Sequence, residues 1–301
     1  MKSQISKFAW ALFLAAGSAA GSAAPLDTVK IDQLTGLKGT LNEAEGVFKV
    51  SVPRADLKIS VDKWQMPPFM GLTSWAAFKP GMKDNAMVMG DLVLMQDEVN
   101  PVLSAALDNG LQVTALHNHF LFDEPKVYFM HIAGEGTVVQ LATGFRKALD
   151  AVKEVRTANH QPAASFGAGA LPAQSSISPK PLEAIFGVAG QTNNGMFKAV
   201  FGRTTKMACG CEAGKEMGVN TWAAFAGADD NALVDGDFAM TEDELQTVLK
   251  TLRAAGINIV AIHNHMTGET PRYLFLHYWG RGPAASLARS LKRALDIQHQ
   301  P

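Results

Sequence analysis

Two cysteines in 301 residues, Cys209 and Cys211, cannot build a disulfide framework for a chain of this size. They remain free to pair with one another in an oxidising compartment, or to hold a metal. Charge is nearly balanced: 27 basic against 28 acidic residues leave a net charge of −1, with no clustered basic face. A phosphate-backbone partner needs such a face, so nucleic acid is excluded as a partner. Beyond the N-terminal segment no run of 18 apolar residues occurs, and no stable membrane insertion is expected. Also missing are a Gly-rich phosphate loop and a Gly-x-Ser-x-Gly nucleophile elbow, which removes the commonest nucleotide-binding and serine-hydrolase readings.

The N-terminus has the layout of a secretory signal peptide over residues 1–24. Lys2 and Lys7 precede an apolar run from Phe8 to Ala16, and small residues follow from Gly17 to Ala24. Pro25 disfavours a cut directly after Ala24. No cysteine follows the apolar run, so the expectation is a protein without a lipid anchor, in the periplasm or secreted. Loss of Lys2 and Lys7 brings the net charge to −3.

What the chain does have is histidine in a pattern. His117-Asn118-His119 recurs as His263-Asn264-His265, and a third histidine follows each at the same distance, His131 and His277. At a constant offset of 146, residues 107–136 and 253–282 share ten identities in thirty positions, Gly110/Gly256, Pro125/Pro271 and Phe129/Phe275 among them. Upstream, Arg54 falls near Arg203, Thr73–Phe78 matches Asn220–Phe225 through Trp-Ala-Ala-Phe, and Gly90-Asp91 matches Gly236-Asp237. This is an internal duplication. The first repeat spans about 31–152 and the second about 182–298, joined by an Ala/Ser/Gly/Pro-rich linker over 153–181.

Within each repeat the order β-β-β-α-β-β-α is legible. In the second copy Ala232–Met240 reads as a strand and Thr241-Glu242-Asp243-Glu244 as a helix start. Leu245, Val248, Leu249 and Leu252 follow at helical spacing up to Gly256. Ile257–His265 and Tyr273–Trp279 are strands, and Ala284–Ile297 is a basic amphipathic helix. The expected fold is α+β, two tandem homologous domains with helices on one face of antiparallel sheets.

In a strand, residues i and i+2 share a face, so His117 and His119 project together, as do His263 and His265. With His131 and His277 they form two sets of three imidazoles, a ligand set for a divalent transition metal such as Zn or Cu. Glu124 and Glu269, in the following turns, are candidate general bases if a metal-bound water does chemistry. Three functions stay open: binding of a metal ion, metal-dependent hydrolysis of cell-envelope material, and non-catalytic binding of a cell-envelope ligand through Trp75 and Trp222. The letters His-Asn-His do not make a nuclease, whose ligands are spread over a ββα module. A cupin-like spacing from His117 to Glu124 is set against the helix that ends just before each histidine strand. Met207-Ala208-Cys209-Gly210-Cys211 offers soft ligands in the second copy alone. Met66, Met70, Met82, Met87, Met89 and Met95 read as core filler, and Trp75, Trp222, Phe78 and Phe225 as core. Bulky Phe120, Leu121 and Phe122 are expected to cover His119, leaving His265, beside Gly268, the more accessible.

Gly218–Phe225, Val234–Phe238 and Ala261–Met266 through Pro271-Arg272 to His277–Gly280 resemble the LppY/LpqO family (DUF1259) of bacterial exported proteins. The resemblance covers both repeats. It implies an exported protein of duplicated domain and supplies no activity.

Overall fold

A computed structural model of the chain describes residues 25–82 and 85–298. The segment read as a signal peptide lies outside them. The first repeat contains α1 (Thr28–Thr35), β1 (Thr40–Asn42), β2 (Val47–Pro53), β3 (Ser60–Val61), β4 (Trp64–Gln65), β5 (Thr73–Pro80) and β6 (Ala86–Met95). It continues with α2 (Gln96–Asp108), β7 (Gln112–His117), β8 (Asp123–Glu124), β9 (Val127–Gly136) and α3 (Val138–Ala158). The second repeats that order: α4 (Pro179–Phe186), β10 (Gln191–Asn193), β11 (Met196–Gly202), β12 (Thr205–Lys206), β13 (Glu212–Ala213), β14 (Asn220–Ala228) and β15 (Asn231–Thr241). α5 (Leu245–Ala254), β16 (Asn258–His263), β17 (Tyr273–Gly282) and α6 (Ala284–Asp296) complete it.

The α+β expectation holds, with an opening helix and hairpin in each copy that sequence patterning did not show. Helix α3 runs six residues into the segment read as linker, and 159–178 carry no helix or strand.

The two half-sheets are one. Twelve antiparallel strands run in the order β1-β2-β5-β6-β9-β7-β16-β17-β15-β14-β11-β10, and the halves meet where β7 pairs β16 at Leu116 and Ile262. All six helices contribute buried side chains to a single core against one face of this sheet. Strand alternation assigns the faces: Met130 and Ile132 of β9 point into that core, while Val127, Phe129 and His131 point the other way. On the opposite face, which no α-helix among the described residues covers, each copy builds a small apolar cluster, Ile59, Leu72, Val93 and Phe129 in the first and Ala213, Val219, Ala239 and Phe275 in the second.

The join is reinforced by an exchange of amides. β7 and β16 each carry a bulge, at Val113/Ala115 and Ile259/Ala261, which leaves backbone groups out of the ladder. Asn100 of α2 takes both groups of Ile259, accepting from its N–H at 2.8 Å and donating to its C=O at 3.1 Å. Gln246 of α5 does the same for Val113, at 3.0 and 2.9 Å. Each repeat thus satisfies the bulge of the other, because a buried peptide group left unpaired costs about 1–3 kcal/mol.

The matched arginines serve the same helices. Buried Arg54 donates to both oxygens of Glu98, whose Oε2 also accepts from Met95 N–H at the start of α2. Arg203 does likewise with Glu244, which accepts from Thr241 N–H before α5.

Candidate functional site

Strands β7 and β16 end at His117 and His263, on the face that no α-helix covers. The tight turns that follow return the chain into β9 and β17, so that Ala115 lies opposite His131 and Ala261 opposite His277. The small alanines leave room for the larger rings beside them. His117 stacks with His119 and His131 at centroid distances of 5.2 and 5.1 Å, and His263 lies 5.1 and 4.9 Å from His265 and His277. His119 and His265 lie flat on Phe129 and Phe275, at 3.3 and 3.6 Å. The same-face expectation is met, and each triplet is built from one repeat alone.

The donor sets differ in detail. In the first copy one nitrogen from each of His117, His119 and His131 comes within 4.8 Å of the others. In the second the matching set is His263, His265 and Asp237, with His277 stacked beside it but outside that limit. Asp237 and its counterpart Asp91 were not among the sequence candidates. Both face the third histidine across the strand pair, Asp91 opposite His131 and Asp237 opposite His277. The only prior sign of them was the matched Gly-Asp pair, two elements upstream of the histidines.

Hydrogen bonds set the ring orientations. His117 Nδ1 donates to Asn118 C=O, His265 Nδ1 to Gly218 C=O and His277 Nδ1 to Gly236 C=O, each at 3.2 Å. A carbonyl only accepts, so the proton is on Nδ1 and the Nε2 lone pair is available to a cation. His265 Nε2 then stands 3.0 Å from Asp237 Oδ2. A proton shared between these two atoms, or a cation bound by both, satisfies the pair.

At both sites single atoms are left without a partner among the described residues. Asp91 Oδ1, Asp237 Oδ1 and His263 Nδ1 are buried without a hydrogen bond among the described residues. Burial raises the pKa of both aspartates above the usual carboxylate value, opposed in each case by the neighbouring histidines. Burial also lowers His119, and brings His263 down to about 4 with help from His277 and His265. Neutral imidazoles beside a carboxylate form an electron-rich nest, which a cation would stabilise.

The candidate bases lie elsewhere. Glu124 is exposed on β8, its segment paired with Ser60 of β3. Glu269 is buried and accepts from Tyr273 N–H at 3.2 Å. Its structural counterpart is Asp123, which accepts from Val127 N–H at 2.8 Å, so these carboxylates brace the turns. Neither Glu124 nor Glu269 joins a donor set. The covering of His119 is also corrected. Leu121 and Phe122 are 72% and 82% exposed, Phe120 packs edge-on against His119 and Phe129, and His119 stays exposed like His265. Phe122 achieves this at φ 58°, a left-handed conformation that turns its ring outward.

Two other readings change. Met66 and Met95 are buried as expected, whereas Met70, Met82, Met87 and Met89 are exposed. Phe78 and Phe225 are core, but Trp75 and Trp222 are only half-buried, with Lys49 and Lys198 ammoniums 4.2 and 4.3 Å over their rings.

Residues 29–151 and 180–297 each match the family described as a Domain of Unknown Function (DUF1259). The chain belongs to the DUF1259 family. The two matched segments coincide with the two structural repeats, so each DUF1259 copy supplies one half of the sheet and one histidine cluster. No curated protein matches the chain. Among solved structures, it is similar to a trimeric bacterial microcompartment shell protein, PduB, at 12% identity over 85% of this chain and 88% of that one, with a TM-score of 0.20. A double-ringed trimeric shell protein, MSM0271 from the RMM microcompartment, gives 12% identity over 72% and 83%, with a TM-score of 0.18. Scores so low carry no argument about this DUF1259 chain.

Proposed function

We propose that this protein binds divalent transition-metal ions, Zn or Cu, one in each repeat. His117, His119 and His131, with Asp91 at their side, hold the first. His263, His265 and Asp237, with His277 at their side, hold the second. The observation that carries the reading is the pair of convergent donor sets with orphaned buried atoms, Asp237 Oδ1 and His263 Nδ1, at the heart of the second. A buried polar atom without a partner costs about 1–3 kcal/mol, and the fold repeats the aspartate orphan at Asp91. A metal ion removes that cost, and three or four N/O donors suit Zn and Cu.

Export to the periplasm or medium, a signal peptide over residues 1–24 and the LppY/LpqO affiliation belong to the same proposal. They are supported by the sequence layout of residues 1–24 and by the segments of both repeats that resemble that family. The hydrolase reading has less support, since Glu269 accepts from Tyr273 N–H within its turn, Glu124 is exposed on β8, and neither joins a donor set. The envelope-ligand reading rests on Trp75 and Trp222, half-exposed on the same sheet face as the histidines and directly beside Asp91 and Asp237. Equilibrium dialysis of histidine-cluster variants, with zinc as probe, tests the proposal. Loss of one ion in His117→Ala/His119→Ala and of one in His263→Ala/His265→Ala is expected. Full zinc content in both would overturn it.

A further inference from the structure

The second repeat carries a chemistry the first lacks. β12 and β13 form a small hairpin whose tip is Met207-Ala208-Cys209-Gly210-Cys211. Met207 N–H donates to Cys211 C=O at 2.9 Å and Gly210 N–H to Met207 C=O at 2.8 Å, while Gly210 takes φ 80° to close the turn. The turn folds Cys211 back onto Cys209, whose Sγ accepts from Cys211 N–H at 3.4 Å. Both thiols are exposed and unoxidised. A hydrogen bond from the Cys211 thiol holds Cys209 below the ordinary thiol value and raises Cys211. Two thiols two residues apart, folded toward each other on one tight turn, are the arrangement that a soft cation takes up.

The hairpin is not loose. Lys206 and Thr270 exchange backbone hydrogen bonds at 3.1 and 2.9 Å, and Thr205 Oγ1 donates to Pro271 C=O at 2.8 Å. Ala208 packs beside Gly268 at the tip of the turn that follows His265. The thiol loop is therefore stitched to the same turn that positions the second histidine cluster.

We propose that Cys209 and Cys211 form a separate site for a soft d10 cation, Cu(I) above all. Its ligands are sulfurs, where those of the clusters are imidazole and carboxylate. On binding, two S–H bonds release their protons to solvent and two S–Cu bonds form, with no change of oxidation state. The inference does not depend on the histidine clusters holding a metal.

The test titrates the full-length, reduced protein with Cu(I) supplied as its bicinchoninate complex, without oxygen. Wild type should withdraw one more equivalent of Cu(I) than Cys209→Ser/Cys211→Ser, and should gain a near-ultraviolet sulfur-to-copper absorption that the double variant lacks. His263→Ala/His265→Ala should keep both the equivalent and the absorption, which separates this site from the cluster. Both thiols are exposed, so serine leaves the fold intact. Equal Cu(I) uptake by wild type and the cysteine variant, or uptake without the absorption, would overturn the proposal.

Discussion

A metal centre made of matched histidines is told apart from a packed histidine edge by the atoms around it. At Asp237 and His263 those atoms are buried, polar and unpartnered, which is why the second cluster is the sharper case. Asp237→Asn should weaken zinc binding at that site tenfold or more, about 1.4 kcal/mol or above. Glu269→Ala should leave zinc affinity unchanged and lower stability by about 1–3 kcal/mol, because Tyr273 N–H loses its acceptor. Calorimetric zinc titration beside a denaturant melt separates the two effects, and equal affinity losses would rule out the assignment of Asp237. His265→Ala should remove more metal than His119→Ala, because His265 Nε2 lies 3.0 Å from Asp237 Oδ2, and not because a turn covers His119.

His263 gives a pH signature. Its pKa in the folded protein is lowered to about 4, below the ordinary histidine value of 6.5. Between those values the unfolded chain takes up a proton that the folded chain refuses. Stability from this group is therefore present above 6.5 and is lost as pH falls toward 4. An NMR titration of the metal-free protein should show His263 with a midpoint near 4, accompanied by a falling thermal midpoint over that interval. A midpoint near 6.5 would show that its ring is not buried in the neutral form.

At the scale of elements, much was legible in the sequence. The strands at Ala86–Met95 and Ala232–Met240, the helix start at Thr241–Glu244, and the pairing of His-x-His on one face all follow from period and capping chemistry. The aspartates were not legible as partners, because cross-strand register joins Asp237 to His277 over 40 positions and nothing local signals it. Strands of two residues, such as β3 and β12, fall below any periodic signal. The opposite error concerned Trp75 and Trp222: apolar text in a strand reads as core on either face, while only one face of this sheet is covered by helices.

The amide exchange was likewise invisible, since Asn100 and Gln246 read as ordinary polar residues of a helix surface. Asn100→Ala should cost about 1–3 kcal/mol, leaving both groups of Ile259 unpaired inside the protein. Gln246→Ala, in a wetter position, should cost less. A change under about 0.5 kcal/mol for Asn100→Ala in a urea melt, within the range of neutral surface substitutions, would mean that water replaces the amide.

At the scale of the whole molecule, duplication has produced one sheet and one core rather than two beads on a string. Strands β7 and β16 are the inner edges of the two half-sheets, each paired on one side within its own copy and on the other only with its counterpart. The same two strands carry the histidine pairs, so joining the halves also fixes the strands that present the ligands. Either repeat alone would expose an edge strand and leave a bulge unsatisfied. Metal content per folded chain is thus the quantity on which fold and function meet. Elemental analysis of the full-length protein, purified without an affinity tag and exposed to zinc at neutral pH, tests this most directly. Two ions per chain, falling to one on mutation of either histidine pair, is the predicted result; a protein that arrives without metal and takes up none would contradict it.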